Sequence, residues 1–258
     1  MKRVPVKEMV SLGWIRKTAS REESLEEVLS FFGIGSSDQW EPVWKNYQPA
    51  FRQNQKFTKI PEAVSAWLRR GEIESHEIQC AEFNRRAFQN NLSELRKLTL
   101  TTNPDEFVPI LKNTCATCGA AVVLVPELKN TVVFGATRWL SPNKALIQLS
   151  LRYKTNDQLW FTFFHEAGHL LLHGKKQVFV DSQEQANIKE EREADQFAAN
   201  LLVPQKDYRE FLRQKPYSFS KIRQFSKRIG IAPGIVVGRL QHDRHIPFNA
   251  GQGLKVRY

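Results

Sequence analysis

Apolar residues recur at three-to-four spacing over residues 21–32, 60–70 and 81–98, separated by breaks bearing Gly, Ser, Pro and Asn, which predicts three helices in the first hundred residues. A further helix is expected over 103–119, started at Asn103 or Asp105 and stopped by Gly119. Three β-rich runs follow, at 120–125, 131–137 and 144–151, punctuated by Pro126 and by Ser141-Pro142-Asn143, so a small sheet of at least three strands is expected. After the capping residues Thr155-Asn156-Asp157, the run 159–173 is apolar on nearly every side and ends at Gly174, which marks a helix buried all round. Residues 175–188 are polar and read as a loop. Helical spacing returns over 189–202 and stops at Pro204, and the chain closes with a helix, turn, helix pattern at 219–229, Gly230 and 235–242. The fold class is therefore α+β, in three parts: an N-terminal helical region (1–100), a core with a small mixed sheet and two long helices (101–204), and a basic, helix-turn-helix-like C-terminal segment (205–258).

Bulk composition narrows the class without naming it. The chain has 258 residues, 41% hydrophobic and 25% charged, enough to bury a sizeable core. Its longest apolar stretch is broken by His165 and Glu166, so no membrane span is expected, and the basic N-terminus is followed by no apolar leader pattern. Cys80, Cys115 and Cys118 cannot all pair, which fits a reducing, cytoplasmic setting. The CxxC at Cys115 and Cys118 lacks a second ligand pair, and its spacing after Val108 and Leu111 reads as two core thiols on one helix. The formal charge of +11 is concentrated at the end: residues 205–258 hold twelve Lys/Arg against three acids, inviting an anionic partner such as nucleic acid, contacted without sequence specificity.

The chemistry lies in the buried helix. His165-Glu166-Ala167-Gly168-His169 is an HExxH motif, and a spacing of four puts both imidazoles on one face, one turn apart, able to grip one ion. Zinc suits imidazole nitrogen, and a catalytic zinc takes three protein ligands and leaves a fourth position for water. Burying His165, Glu166 and His169 among Phe161, Phe163, Phe164 and Leu170–Leu172 without partners would cost several kcal/mol, which a metal removes. Glu166, which is no ligand, is placed to take a proton from the water. The third ligand is sought among Glu190, Glu191 and Glu193 at the acid-rich start of the next helix. Glu191 alone stands four residues before Asp195, so Glu191 can ligate while Asp195 accepts the spare N–H of a ligand histidine. His173 continues the series but lies about 12 Å from His165 at a rise of about 1.5 Å per residue, too far to share the ion, and is given a capping or outer-shell role. Arg138, Tyr153, Tyr208 and His245 are all candidates to stabilise an oxyanion.

The segment Phe163-Phe164-His165-Glu166-Ala167-Gly168-His169-Leu170-Leu171-Leu172-His173-Gly174, with Glu191-Arg192-Glu193-Ala194-Asp195-Gln196-Phe197-Ala198-Ala199-Asn200-Leu201-Leu202-Val203-Pro204, resembles the ImmA/IrrE family of gluzincin-type metallopeptidases. The family usually has Asn where Asp195 stands. The resemblance implies a zincin-like core, a zinc-bound water activated by Glu166, and endopeptidase action on helix-turn-helix transcriptional repressors. Regions flanking the core resemble relatives found beside HigA-type antitoxins, in which a DNA-binding domain often precedes the peptidase. Here Met1 falls where the segment after that domain would begin, so a separately encoded repressor or antitoxin is the expected partner. By analogy with the fold, strand 144–151 is expected to pair with an extended substrate.

Two alternatives belong to other classes. One is a DNA-binding regulator with a structural zinc, in which Ser226, Gly230 and Val236 mark a helix-turn-helix and the recognition helix begins near Pro233; Pro233-Gly234 is a poor opening for a base-reading helix. The other is a module that captures a partner without cutting it, for which Glu166 would be superfluous.

Overall fold

The computed structural model describes residues 4–40, 50–53, 61–129, 131, 133–150, 155–173 and 184–258. Four strands among them, β1 (Ala50–Gln53), β2 (Ala120–Leu124), β3 (Val133–Ser141) and β4 (Lys144–Leu149), form one mixed sheet in the order β1-β3-β4-β2. β2 runs parallel to β4, while β3 is antiparallel to both β4 and β1. Pro142 and Asn143 make the turn between β3 and β4, with Ser141 opposite Lys144, a position where proline presets the backbone. β4 is an interior strand: β3 and β2 take its two edges. The expectation that 144–151 receives a substrate backbone is therefore corrected, since no ladder groups remain on that strand for another chain.

The sheet separates two cores. Side chains alternate along β2, so Ala120 and Val122 join one apolar cluster and Ala121 and Val123 the other. Helices α1 (Val6–Ser11), α2 (Arg21–Phe32) and α3 (Pro61–His76) cover one face, with Met9, Phe31, Phe32 and Trp67 buried against Val123 and Leu146. Trp67 also donates its Nε1–H to the carbonyl of Val125 at 3.0 Å. The opposite face carries α4 (Arg85–Lys97), α5 (Pro104–Ala116), α6 (Asn156–Leu172), α7 (Glu184–Leu202), α8 (Gln205–Leu212), α9 (Phe219–Ile229) and α10 (Pro233–His242), whose buried residues form one cluster around Trp160, Phe163 and Phe164.

Local departures from the sequence pattern have identifiable causes. The helix expected from residue 81 starts only at Arg85, where Asn84 accepts the N–H of Ala87. Residues 81–84 run extended because the N–H groups of Ala81, Phe83 and Asn84 are used by the carbonyls of Ala116, Asn143 and Cys118. That crossing needs Gly119, whose φ is +85° and where a Cβ would lie 2.2 Å from the Phe83 Cα. Cys115 is buried in α5, whereas Cys118 lies just past the helix end, accepting a hydrogen bond from Asn91 at 3.1 Å. Of the loop expected over 175–188, residues 175–183 lie outside the described residues, and α7 is already helical from Glu184.

The C-terminal segment is built into the second core. Gly230, at φ +70°, ends α9, and α10 then packs Ile235, Val236, Val237 and Leu240 inward, against α6. The helix that a DNA-reading role would send into a groove is thus committed to the interior. Farther on, Asn156 donates its N–H to Val256 at 2.9 Å, and Lys255 Nζ stands 2.6 Å from Asp157 Oδ2, so the chain's end holds the start of α6. Exposed basic residues, among them Lys206, Arg209, Arg213, Lys215, Arg223 and Lys227, remain on the outer surface of α8, α9 and their connection. No helix among the described residues is long and apolar enough to cross a membrane.

Candidate metal centre

Two antiparallel neighbours, α6 and α7, build the centre. They come close at Gly168, where a Cβ would meet Phe197 Cδ1 at 3.1 Å and the Ala194 Cα at 3.3 Å. Small residues at 167, 168, 194 and 198 let the backbones approach, and Glu191, one turn before Ala194, is thereby carried to the face of α6 that holds His165 and His169.

Three donor groups converge. His165 Nε2 and His169 Nε2 are 3.0 Å apart, Glu191 Oε2 is 3.2 Å from the first, and Glu191 Oε1 is 3.4 Å from the second. Donor atoms around a tetrahedral zinc with bonds of about 2.0–2.2 Å lie roughly 3.3–3.5 Å from one another. His165, His169 and Glu191 therefore fit a single metal ion in chemistry and spacing.

The outer hydrogen bonds settle which nitrogens are bare. His165 donates its Nδ1–H to Asp195 Oδ1 at 2.9 Å, which leaves a lone pair on Nε2. His173 donates Nε2–H to Glu193 Oε2 at 3.2 Å, so its Nδ1 is an acceptor for His169 Nδ1–H at 3.0 Å, and His169 Nε2 is bare as well. Two lone pairs and a carboxylate facing one another at these distances call for a cation between them. Without a metal, a proton serves. Burial opposes a charge on His165, yet hydrogen bonds to Asp195 and Glu191 outweigh it and raise its pKa to about 9. Burial also opposes ionisation of Glu191, but the hydrogen bonds and charges of His165 and His169 hold it down at about 2.

Glu166 points to the sheet. Its carboxylate lies under β3 at Gly135, where a Cβ would stand 2.6 Å from Oε1, and its backbone carbonyl accepts the hydroxyl of Thr137 at 3.1 Å. Burial pushes the Glu166 pKa up, while His165 and His169 pull it down. Neither His165 nor Glu166 has any solvent-exposed surface, and His169 is 4% exposed.

The remaining candidates fall elsewhere. His173 ends α6, donating its backbone N–H to His169, while its ring rests on the His169 ring. Arg138 pairs with Glu72 at 2.9 Å on the opposite side of the sheet. Tyr208 and His245 pack together beside Arg239, and Tyr153 lies outside the described residues. Because α7 begins at Glu184, the three glutamates sit in its second and third turns rather than at its N-terminus. Glu193 in particular is engaged with His173 rather than only solvated. Gly135 and Thr137 escape a reading of the sequence, as do the packing role of Gly168 and the contact of Glu193 with His173. Only the tight helix pairing at Gly168 had a signal there, in the small residues Ala167, Gly168, Ala194 and Ala198.

No curated protein matches the chain. The stretch that carries the sheet hairpin and both ligand helices does match a family model: residues 132–241 are similar to the IrrE N-terminal-like domain of peptidase M78, which supports the resemblance to the ImmA/IrrE metallopeptidases over that stretch.

Proposed function

We propose that the protein is a zinc-dependent endopeptidase with a zincin-like core, and that its substrate is a helix-turn-helix repressor or antitoxin. The observation that supports this best is the convergence of His165 Nε2, His169 Nε2 and a Glu191 carboxylate oxygen, with both histidine Nδ1 atoms tied to acceptors that leave the facing nitrogens bare. Zinc held there supplies a Lewis acid that polarises a peptide carbonyl and acidifies the attacking water.

The chain's own groups do the rest. Asp195, and His173 with Glu193, orient the two ligand rings. Glu166, raised by burial and steadied by the neighbouring imidazoles, accepts a proton from the water and passes it to the amide nitrogen as the C–N bond breaks. Gly135 leaves the room that this carboxylate occupies. The exposed lysines and arginines of the C-terminal segment add a surface for an acidic region of the partner, or for DNA held non-specifically with it.

The test pairs the zinc-loaded protein with small helix-turn-helix proteins encoded beside it. Cleavage of one of them by the wild type and none by Glu166→Gln, with zinc still bound, is the expected result. Equal cleavage by the variant would remove Glu166 from the reaction.

A further inference from the structure

A cavity of about 420 Å³ opens where the first turns of α6, the later turns of α7 and α10 meet, a size ordinary for a small-molecule site. His165, Glu166, His169 and Glu191 do not line it, so it is distinct from the metal centre, although Asp195 stands in its wall. Phe161, Leu202, Val203 and Ile235 make its apolar side. Two small residues leave the room: Ala199 on α7, and Gly238 on α10, where a Cβ would lie 2.7 Å from Asp157 Oδ2.

The polar groups of the wall divide into those already matched and those left over. Asp243 is held by Arg239 at 2.7 Å, and Asp195 by the His165 ring at 2.9 Å. Asp157 is 4% exposed, and its Oδ2 stands 2.6 Å from Lys255 Nζ, but its Oδ1 has no hydrogen-bond partner among the described residues. A buried acceptor in that state is costly until a donor reaches it. Arg192, on the rim, is exposed and has no ion pair or hydrogen bond among the described residues. The cavity thus combines an acceptor without a donor, a cation without an anion, and an apolar floor.

Those three features together select one kind of molecule. A charged amine satisfies Asp157, a carboxylate takes the Arg192 guanidinium in a forked pair, and a bulky apolar group covers the floor. A free amino acid carries all three on a single carbon. We propose that this cavity binds a free amino acid with a large apolar side chain, its amine on Asp157, its carboxylate on Arg192 and its side chain against Phe161, Leu202, Val203 and Ile235. The molecule lies against Asp195, the carboxylate that orients His165. Binding there needs no peptide hydrolysis and goes beyond it.

Isothermal titration calorimetry of the full chain, zinc-loaded and again after chelation, tests this with L-phenylalanine and L-leucine as probes. Both are expected to bind with a dissociation constant of about 1 mM or tighter, equally well in either metal state. L-phenylalaninamide keeps only the amine and N-acetyl-L-phenylalanine only the carboxylate, so they imitate the two ends of a peptide. Each should bind at least about tenfold more weakly than phenylalanine, as should Arg192→Ala with phenylalanine itself. Ala199→Leu, which extends a side chain into the cavity, should abolish binding in protein shown by circular dichroism to be folded. The proposal is overturned if the wild type binds neither amino acid at roughly ten times that concentration. It is overturned as well if either capped form binds as tightly as phenylalanine, which would make the occupant a peptide end, or if Arg192→Ala or folded Ala199→Leu binds as the wild type does. Loss of binding on chelation would also overturn it, by placing the molecule on the metal.

Discussion

Substituting Gly135→Ala probes how closely the sheet positions the base. The added Cβ would lie 2.6 Å from Glu166 Oε1, 2.7 Å from Thr162 Cγ2 and 2.8 Å from Glu166 Cγ. To regain an ordinary contact of 3.4 Å the carboxylate must retreat by about 0.8 Å. Displacement of a reacting group by about 1 Å costs on the order of a hundredfold in rate, or about 2.7 kcal/mol of transition-state stabilisation. Overpacking adds a stability cost of about 1–3 kcal/mol. Neither term involves His165, His169 or Glu191, so zinc content should be preserved. Steady-state hydrolysis of casein, with urea denaturation and metal analysis on the same preparation, separates the effects. A variant that is folded, zinc-loaded and as active as the wild type would refute the claim that β3 fixes Glu166 through the missing side chain.

Three further outcomes follow from the same geometry. Replacing Asp195 by Ala frees the His165 ring and should weaken zinc binding by roughly 10–100-fold in a chelator competition, with the fold intact. Lys255→Ala leaves the Asp157 carboxylate, 4% exposed, without its 2.6 Å partner, and should lower unfolding stability in urea by about 3–5 kcal/mol. In the metal-free protein the folded pKa of His165, about 9, lies above its ordinary 6.5, so the folded state holds the extra proton and the resulting stability is complete below pH 6.5 and lost as pH rises through 9. Glu191, lowered from 4.5 to about 2, contributes stability above pH 4.5 that disappears toward pH 2. Melting temperatures of the chelated protein should therefore fall between pH 7 and 9, and zinc, which takes the place of the proton, should flatten that decline.

The parts of the site that were legible in the sequence are those fixed within one helix. His165 and His169 share a face because they are four apart, and Glu191 stands out because Asp195 follows at the same spacing. What required a neighbour's position was not legible. Glu193 gains its role only because His173 is brought opposite it, and Gly135 matters only because β3 crosses over Glu166. The substrate strand was misassigned for a related reason: proximity in sequence made 144–151 the natural choice, whereas edge status depends on which strands pair, and β3 returns as a hairpin while β2 adds in parallel. Residues 81–84 share the apolar spacing of α4 but spend their N–H groups on distant carbonyls, which local periodicity does not register. β1 and α8 went unexpected because they are short, four and eight residues, and the basic composition near 205–213 drew attention to charge rather than to the buried Tyr208 and Phe211.

X-ray absorption at the zinc edge, on protein purified with stoichiometric zinc, tests the centre most directly. The arrangement predicts one ion per chain with two imidazole nitrogens at about 2.0–2.1 Å and carboxylate or water oxygen completing a four-coordinate shell, the imidazole signal falling when His165 or His169 is replaced. Sulfur at about 2.3 Å, drawn from Cys80, Cys115 or Cys118, or a shell of oxygen alone, would contradict it.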